Sequence, residues 1–172
     1  MKIQLTLSIL IITSVCFAQP SDPHDPEPSY SEEEKEVLAV VLELFEGYRN
    51  RDATRVGATL SADGNMQRVT IKDGKSIVTP SSSLAGFVKY VASGLTQKHD
   101  EPLWDTKVHV DGDLASVWTK YAFYLEGKFH HCGSENFLLH KENDEWKIFH
   151  LVDTSQTEGC VIPEKIKASS EF

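Results

Sequence analysis

The stretch LASVWTKYAFYLEGKFHHCGSENFLLHKENDEWKIFHLVDTSQTEGC, residues 114–160, decides how this chain folds. Three runs rich in β-branched and aromatic residues are separated by two turn signals, Glu126-Gly127 and Glu142-Asn143-Asp144. In the first run Val117, Thr119, Tyr121, Phe123 and Leu125 share one face, and Trp118, Lys120 and Tyr124 take the other. That two-residue period belongs to strands with unlike faces. The stretch predicts a long antiparallel meander. With few helices in the chain, such a sheet must bend and cover something.

Working back from it, Asp111-Gly112-Asp113 is a hairpin turn joining the meander to a strand over 103–110. A polar link, Gln97 to Pro102, precedes that strand. Before the link, Pro80 and the serines 81–83 open a helix whose stripe is Leu84, Phe87, Val88 and Val91, with Gly94 near its end. Met66 to Ile71 reads as a strand, turned by Asp73-Gly74 and returning over Ser76 to Val78. Farther back, Ser31 and Glu34 form a capping box, and Glu32 and Glu33 suit the positive end of a helix. Val37, Val41, Leu44, Phe45 and Tyr48 make one apolar stripe, so this helix runs to about Asn50. Asp52 caps a second, shorter helix carrying Val56 and Leu60, which Gly64 breaks. Helices, a hairpin, a helix and then four long strands mean an α+β fold rather than alternating α/β. A bent antiparallel sheet wrapped on helices makes a cone, and the mouths of such cones hold small molecules.

The N-terminus reads as an address. Lys2 precedes an apolar run from Leu5 to Val15, and Cys16-Phe17-Ala18 ends in a small residue, which predicts a signal peptide over 1–18. The run is too short for a membrane anchor, which needs roughly 20 apolar residues. The expected compartment is therefore secreted or periplasmic, with no membrane insertion after the signal is removed. A lipidated Cys16 is the rival, disfavoured by Val15 before it. Residues 19–31, with Pro20, Pro23, Pro26 and Pro28 among acids, form a flexible leader. The folded domain spans 32–162 and a tail follows over 163–172. Without residues 1–18 the chain has 16 basic and 26 acidic side chains, net −10. That charge argues against nucleic acid and against anionic membrane surfaces. About 150 residues suit one domain with one core.

The order of elements and the residues Trp118-Thr119, Tyr121, Phe123-Tyr124, His131-Cys132-Gly133, Phe137, Trp146-Lys147-Ile148, Asp153-Thr154 and Glu158-Gly159-Cys160 resemble the NTF2-like (SnoaL-like) superfamily of α+β cones. They are most similar to its exported bacterial branch, labelled lumazine-binding or nuclear transport factor 2 family. The resemblance spans roughly residues 32–160. It implies the cone fold and leaves the function open, because the superfamily holds isomerases, cyclases, dehydratases, binding modules and adaptor domains. Where that branch carries arginines just after Asp-Thr, this chain has Ser155 and Gln156.

Cys132 and Cys160 are the cysteines left after residue 18. In an oxidising compartment two cysteines most simply pair, and the rival is a reactive thiol with His131 or His130 as base. His131 and Asp153 are the candidate acid–base pair: His131 shares a strand face with Phe129, Phe137 and Leu139, and Asp153 follows Phe149 and Leu151 on theirs. The alternative is structural, with His131 bonded to a neighbouring strand and Asp153 capping the terminal turn. Thr119, Tyr121, Glu135 and Trp104 are the ligand-pocket candidates. Trp118, on the opposite face, suits a subunit interface, and a homodimer is expected. No metal site and no cofactor are expected, since no ligand spacing, phosphate loop or glycine fingerprint appears. Three functions stay open: a binding module for an apolar or flat aromatic molecule, a cofactor-free isomerase, cyclase or dehydratase using Asp153 and His131, and an interaction domain with a closed mouth.

Overall fold

The computed structural model describes residues 29–94 and 96–169. The expected signal peptide and nearly all of the expected leader lie outside the described residues. Helix α1 (Glu32–Asn50) begins where the capping box places it. The Ser31 amide donates to Glu34 Oε2 at 2.7 Å, and the Glu34 amide to Ser31 Oγ at 3.2 Å. Arg51, with φ +59°, closes its end. Helix α2 (Ala53–Ala58) is capped by Asp52, whose Oδ1 accepts from the Thr54 and Arg55 amides.

Strand β1 (Leu60–Lys72) starts earlier than the sequence reading placed it. Leu60 belongs to this strand and not to the second helix. Gly64 does not break a helix. It lies in an irregularity of the β1 ladder between Leu60 and Asn65, where a Cβ would come 2.5 Å from Leu84 Cδ1 and 3.0 Å from the Phe149 carbonyl oxygen. Strands β2 (Lys75–Val78) and β3 (Ser82–Ser83) return along β1, and helix α3 (Leu84–Ala92) follows, capped by Ser83.

The polar link hides a short strand, β4 (His99–Asp100), and both its residues are buried. Strands β5 (Leu103–Asp111), β6 (Leu114–Leu125), β7 (Lys128–Glu142) and β8 (Glu145–Thr154) form the meander. Helix α4 (Glu164–Ser169) occupies the segment read as a plain tail.

The sheet runs β2-β1-β8-β7-β6, with β4 and β5 in tandem along the far edge of β6. All pairings are antiparallel except β1 with β8, so the first long strand lies parallel to the last. The edge breaks at Glu101-Pro102, where proline has no amide to give to the ladder.

On the concave side, Val37, Val41, Leu44 and Phe45 of α1 join Val117, Phe137, Leu139 and Ile148 in the main core. Phe45 meets Phe137 edge to face at 5.9 Å. Two bulges decide which side chains face this core. His130 is an extra residue opposite the Phe123–Tyr124 step of β6, so Phe129 pairs with Tyr124 and leaves the face of His131. Phe149 is extra opposite the Leu138–Leu139 step of β7, so it does not share the face of Asp153. Both correct the strict alternation read from the sequence.

The convex face carries a second, smaller core. Ala122, Tyr124 and Cys132 are buried there against Trp104, Cys160 and Ile162. A disulfide joins Cys132 to Cys160 across a sequence separation of 28. Beside it the Cys132 and Gln156 amides exchange hydrogen bonds with each other's carbonyls at 2.9 Å. The C-terminal segment is thereby laid over the convex side of β6 and β7.

Candidate functional site

Along the inward face of β7 the side chains change character. Leu139 and Phe137 are core, and Glu135, Gly133 and His131 follow towards the other end. The neighbouring strands change at the same level. The register sets Thr119 of β6 opposite Glu135, Glu135 opposite Asp153 of β8, and Asp153 opposite Arg68 of β1. A polar row therefore crosses four strands at the boundary between a filled and an unfilled part of the cone.

Beyond that row lies a cavity of about 250 Å³. Leu44, Leu60, Met66, Leu84 and Leu151 supply its aliphatic wall, and Phe45, Tyr48, Phe87, Tyr90 and Phe123 its rings. The polar lining is Arg68, Glu101, His131, Glu135 and Asp153. Tyr90 is 48% exposed, which sets that part of the lining at the mouth.

Asp153 is 6% exposed and heavily engaged. Arg68 Nε lies 2.9 Å from each of its carboxylate oxygens, and a second guanidinium nitrogen bonds Oδ2. The Tyr121 hydroxyl donates to the Thr154 carbonyl at 2.8 Å and lies 3.3 Å from Asp153 Oδ2. Gly133 makes room for this arrangement: a Cβ there would come 2.0 Å from the Thr154 carbonyl oxygen and 2.8 Å from Tyr121 Cε1. Burial and the Asp153 charge push the Tyr121 phenol up, so it stays a neutral donor.

Glu135 is the opposite case. It is 5% exposed, and among the described residues its Oε2 has no hydrogen-bond partner. Burial, then repulsion from Glu101 and Asp153, raises its carboxyl well above the usual carboxylate range. Glu101, held at the break in the edge strand, is pushed up to about 8 by burial and by Asp153. Burial and the Arg68 charge push His131 down to about 4. Its Nδ1 lies 2.8 Å from that of His130, and its ring packs on Tyr121 and Phe123. At neutral pH the lining is thus a compensated ion pair, a neutral imidazole and carboxyls that hold protons.

The structure brings His131, Asp153 and Glu135 to one cavity, with Tyr121 directly behind Asp153. Thr119 and Trp104 lie elsewhere. Thr119 is fully buried, 2.8 Å from the Thr106 hydroxyl, and Trp104 packs on the convex side near the disulfide. An irregularity of the β5–β6 ladder between Trp104 and Lys107 decides that placement. Sequence reasoning missed Arg68 and Glu101. Arg68 reaches Asp153 through the parallel β1–β8 pairing, which no local pattern signals. A proline directly after Glu101 was the available hint of a broken edge. The paired cysteines leave no thiol for His131 to activate.

Solved structures resemble this chain over about three quarters of its length. An NTF2-like protein from Cytophaga hutchinsonii aligns with a TM-score of 0.59 at 13% identity, over 74% of this chain and 100% of that one. A protein of unknown function with a cystatin-like fold, from Nostoc punctiforme, gives 0.57 at 11% identity, over 74% and 95%. A ketosteroid isomerase-like protein from Erwinia carotovora atroseptica gives 0.53 at 17%, over 74% and 99%. At such identities the likeness is one of fold, and the fold is NTF2-like. No protein-family model matches the chain, and no curated protein matches it in sequence.

Proposed function

We propose that this NTF2-like cone is a binding module for a small, largely apolar or aromatic molecule held between its aromatic wall and Glu135. The observation that carries the reading is the Glu135 Oε2, buried in the cavity lining without a partner among the described residues. An unmet buried polar group costs about 1–3 kcal/mol, and a ligand group that bonds it removes that cost. Drug-sized ligand pockets run from about 300 to 1,000 Å³. A cavity of about 250 Å³ therefore suits a single ring or a compact bicycle, the flat heterocycles of the lumazine type included.

The reading includes export through residues 1–18 and a homodimer through the convex sheet face, where Trp118 is 46% exposed. Native mass spectrometry of material from an oxidising compartment tests both, by the mature mass and the subunit number.

The binding claim is tested by thermal shift against flat compounds of one- and two-ring size, with wild type and Leu151→Trp, which fills the cavity. A ligand at 100 times its Kd adds about 2.7 kcal/mol of stability. Wild type should gain this and Leu151→Trp should not. A library that stabilises neither protein, or both equally, overturns the reading.

A second reading is a cofactor-free isomerase, cyclase or dehydratase. It is favoured by a proton-holding carboxyl that lines the cavity together with an imidazole, since raising a carboxyl brings its proton transfer nearer to neutral pH. In it the proton carrier is Glu135 rather than Asp153, whose oxygens are already taken by Arg68 and Tyr121. Turnover of a bound compound by wild type, lost in Glu135→Gln and kept in Asp153→Asn, selects this reading.

A further inference from the structure

The cavity has more acid than it can neutralise. Glu101, Glu135 and Asp153 all line it, and among the described residues the guanidinium of Arg68 is the one permanent cation in the lining. That guanidinium is spent, bonded through two nitrogens to Asp153. Neither Glu101 nor Glu135 has an ion-pair partner among the described residues. Around these two carboxyls stand five aromatic rings, of Phe45, Tyr48, Phe87, Tyr90 and Phe123. The faces of such rings carry negative potential and attract cations. Carboxyls and ring faces therefore favour the same sign of charge.

We propose that the ligand of this cavity is a small organic ammonium ion, with its apolar body against the rings and its nitrogen at Glu135 and Glu101. This rests on the binding reading above and names the ligand class of the same site. With no counter-ion among the lining groups both glutamates favour the neutral form, because burying an unpaired charge is costly. An entering ammonium supplies the counter-ion, and both carboxyls then favour ionisation. Binding is thus coupled to proton release, with each N–H left on the ammonium free to bond a carboxylate oxygen. An anionic ligand meets Asp153 and two acids with no free cation, and is rejected.

Three probes of one shape separate the charge states: benzylammonium, benzyl alcohol and benzoate. Each is titrated calorimetrically into the mature protein at pH 7, in phosphate and again in the bulky zwitterionic buffer MOPS, whose ionisation enthalpies differ. Charge-assisted hydrogen bonds exceed neutral ones, so benzylammonium should bind about tenfold or more tighter than benzyl alcohol. Its apparent enthalpy should differ between the buffers by the proton released. Glu135→Gln and Glu101→Gln should each cut the preference for benzylammonium over benzyl alcohol about tenfold. Gln is nearly isosteric with the protonated acid, and circular dichroism with a cooperative urea transition reports that each variant is folded. Benzyl alcohol or benzoate binding as tightly as benzylammonium overturns the ammonium assignment and leaves the binding module standing. Binding of none of the three overturns both.

Discussion

Removing the Cys132–Cys160 bridge has a magnitude that follows from chain length alone. The bridge closes a loop of 28 residues. In the chain-entropy treatment such a loop removes about 12 cal/mol/K from the unfolded chain, or about 3.6 kcal/mol at 25 °C. Cys132 is 5% exposed in the small convex core, so alanine, slightly smaller and apolar, is the substitution of choice at both positions. Urea unfolding of the Cys132→Ala/Cys160→Ala variant is the assay. With a slope of about 2 kcal/mol/M, the midpoint should fall by about 1.8 M. Wild type in reductant should fall by a similar amount. Hydrogen exchange adds a local readout: the Gln156 amide, bonded to the Cys132 carbonyl at 2.9 Å, should lose protection before the core amides of Val117 and Phe137. A midpoint unmoved by both reduction and substitution would refute the claim that this bridge anchors the C-terminal segment.

The remaining expectations concern the site. Glu135 and Glu101 hold their protons to higher pH in the folded than in the unfolded chain, so their contribution is fully present below about pH 4.5 and is lost as pH rises, for Glu101 through about 8. Glu135→Gln should therefore gain stability over wild type as pH rises from 4.5 into the neutral range in urea titrations. A constant difference across that range speaks against it. His131 has the opposite sign: neutral when folded, it contributes stability that is lost as pH falls from 6.5 towards 4, on the order of 3 kcal/mol. His131→Asn should flatten the acid limb of the same curve. Arg68→Met strands a buried carboxylate. The Arg68 side chain is 43% exposed, so solvent screening lowers the expected loss to about 2 kcal/mol. Adding Asp153→Asn should restore most of it, and a double variant as unstable as Arg68→Met would contradict the pairing. Gly133→Ala forces a Cβ to 2.0 Å from the Thr154 carbonyl oxygen and should cost about 1–3 kcal/mol or more. An unchanged unfolding midpoint would mean that the end of β8 gives way freely.

Much of the architecture was legible because its signals are local. The Ser31–Glu34 capping box, the apolar stripe of α1 and the Asp-Gly turns act over a few residues. The alternation Val117, Thr119, Tyr121 needs only the pleat of a strand to become an inner face. The misreadings of strand face share one cause. His130 and Phe149 each insert one residue, and one inserted residue reverses the face of what lies on one side of it. A bulge is set by the partner strand, so alternation along a single strand cannot reveal it.

The sequence by itself determined the cone: helices first, a meander after, and two cysteines able to tie the tail to the sheet. It also put Glu135, His131 and Asp153 on strands that such a cone turns inward. Tertiary structure alone decided their chemistry. Asp153 is a tethered counter-ion because the parallel β1–β8 ladder brings Arg68 across 85 residues of chain. Glu135, on the next strand of the same polar row, has no such neighbour, and burial makes it hold a proton instead. Two carboxyls one strand apart differ because a side chain's charge state depends on the groups packed around it, and strand pairing chooses those groups.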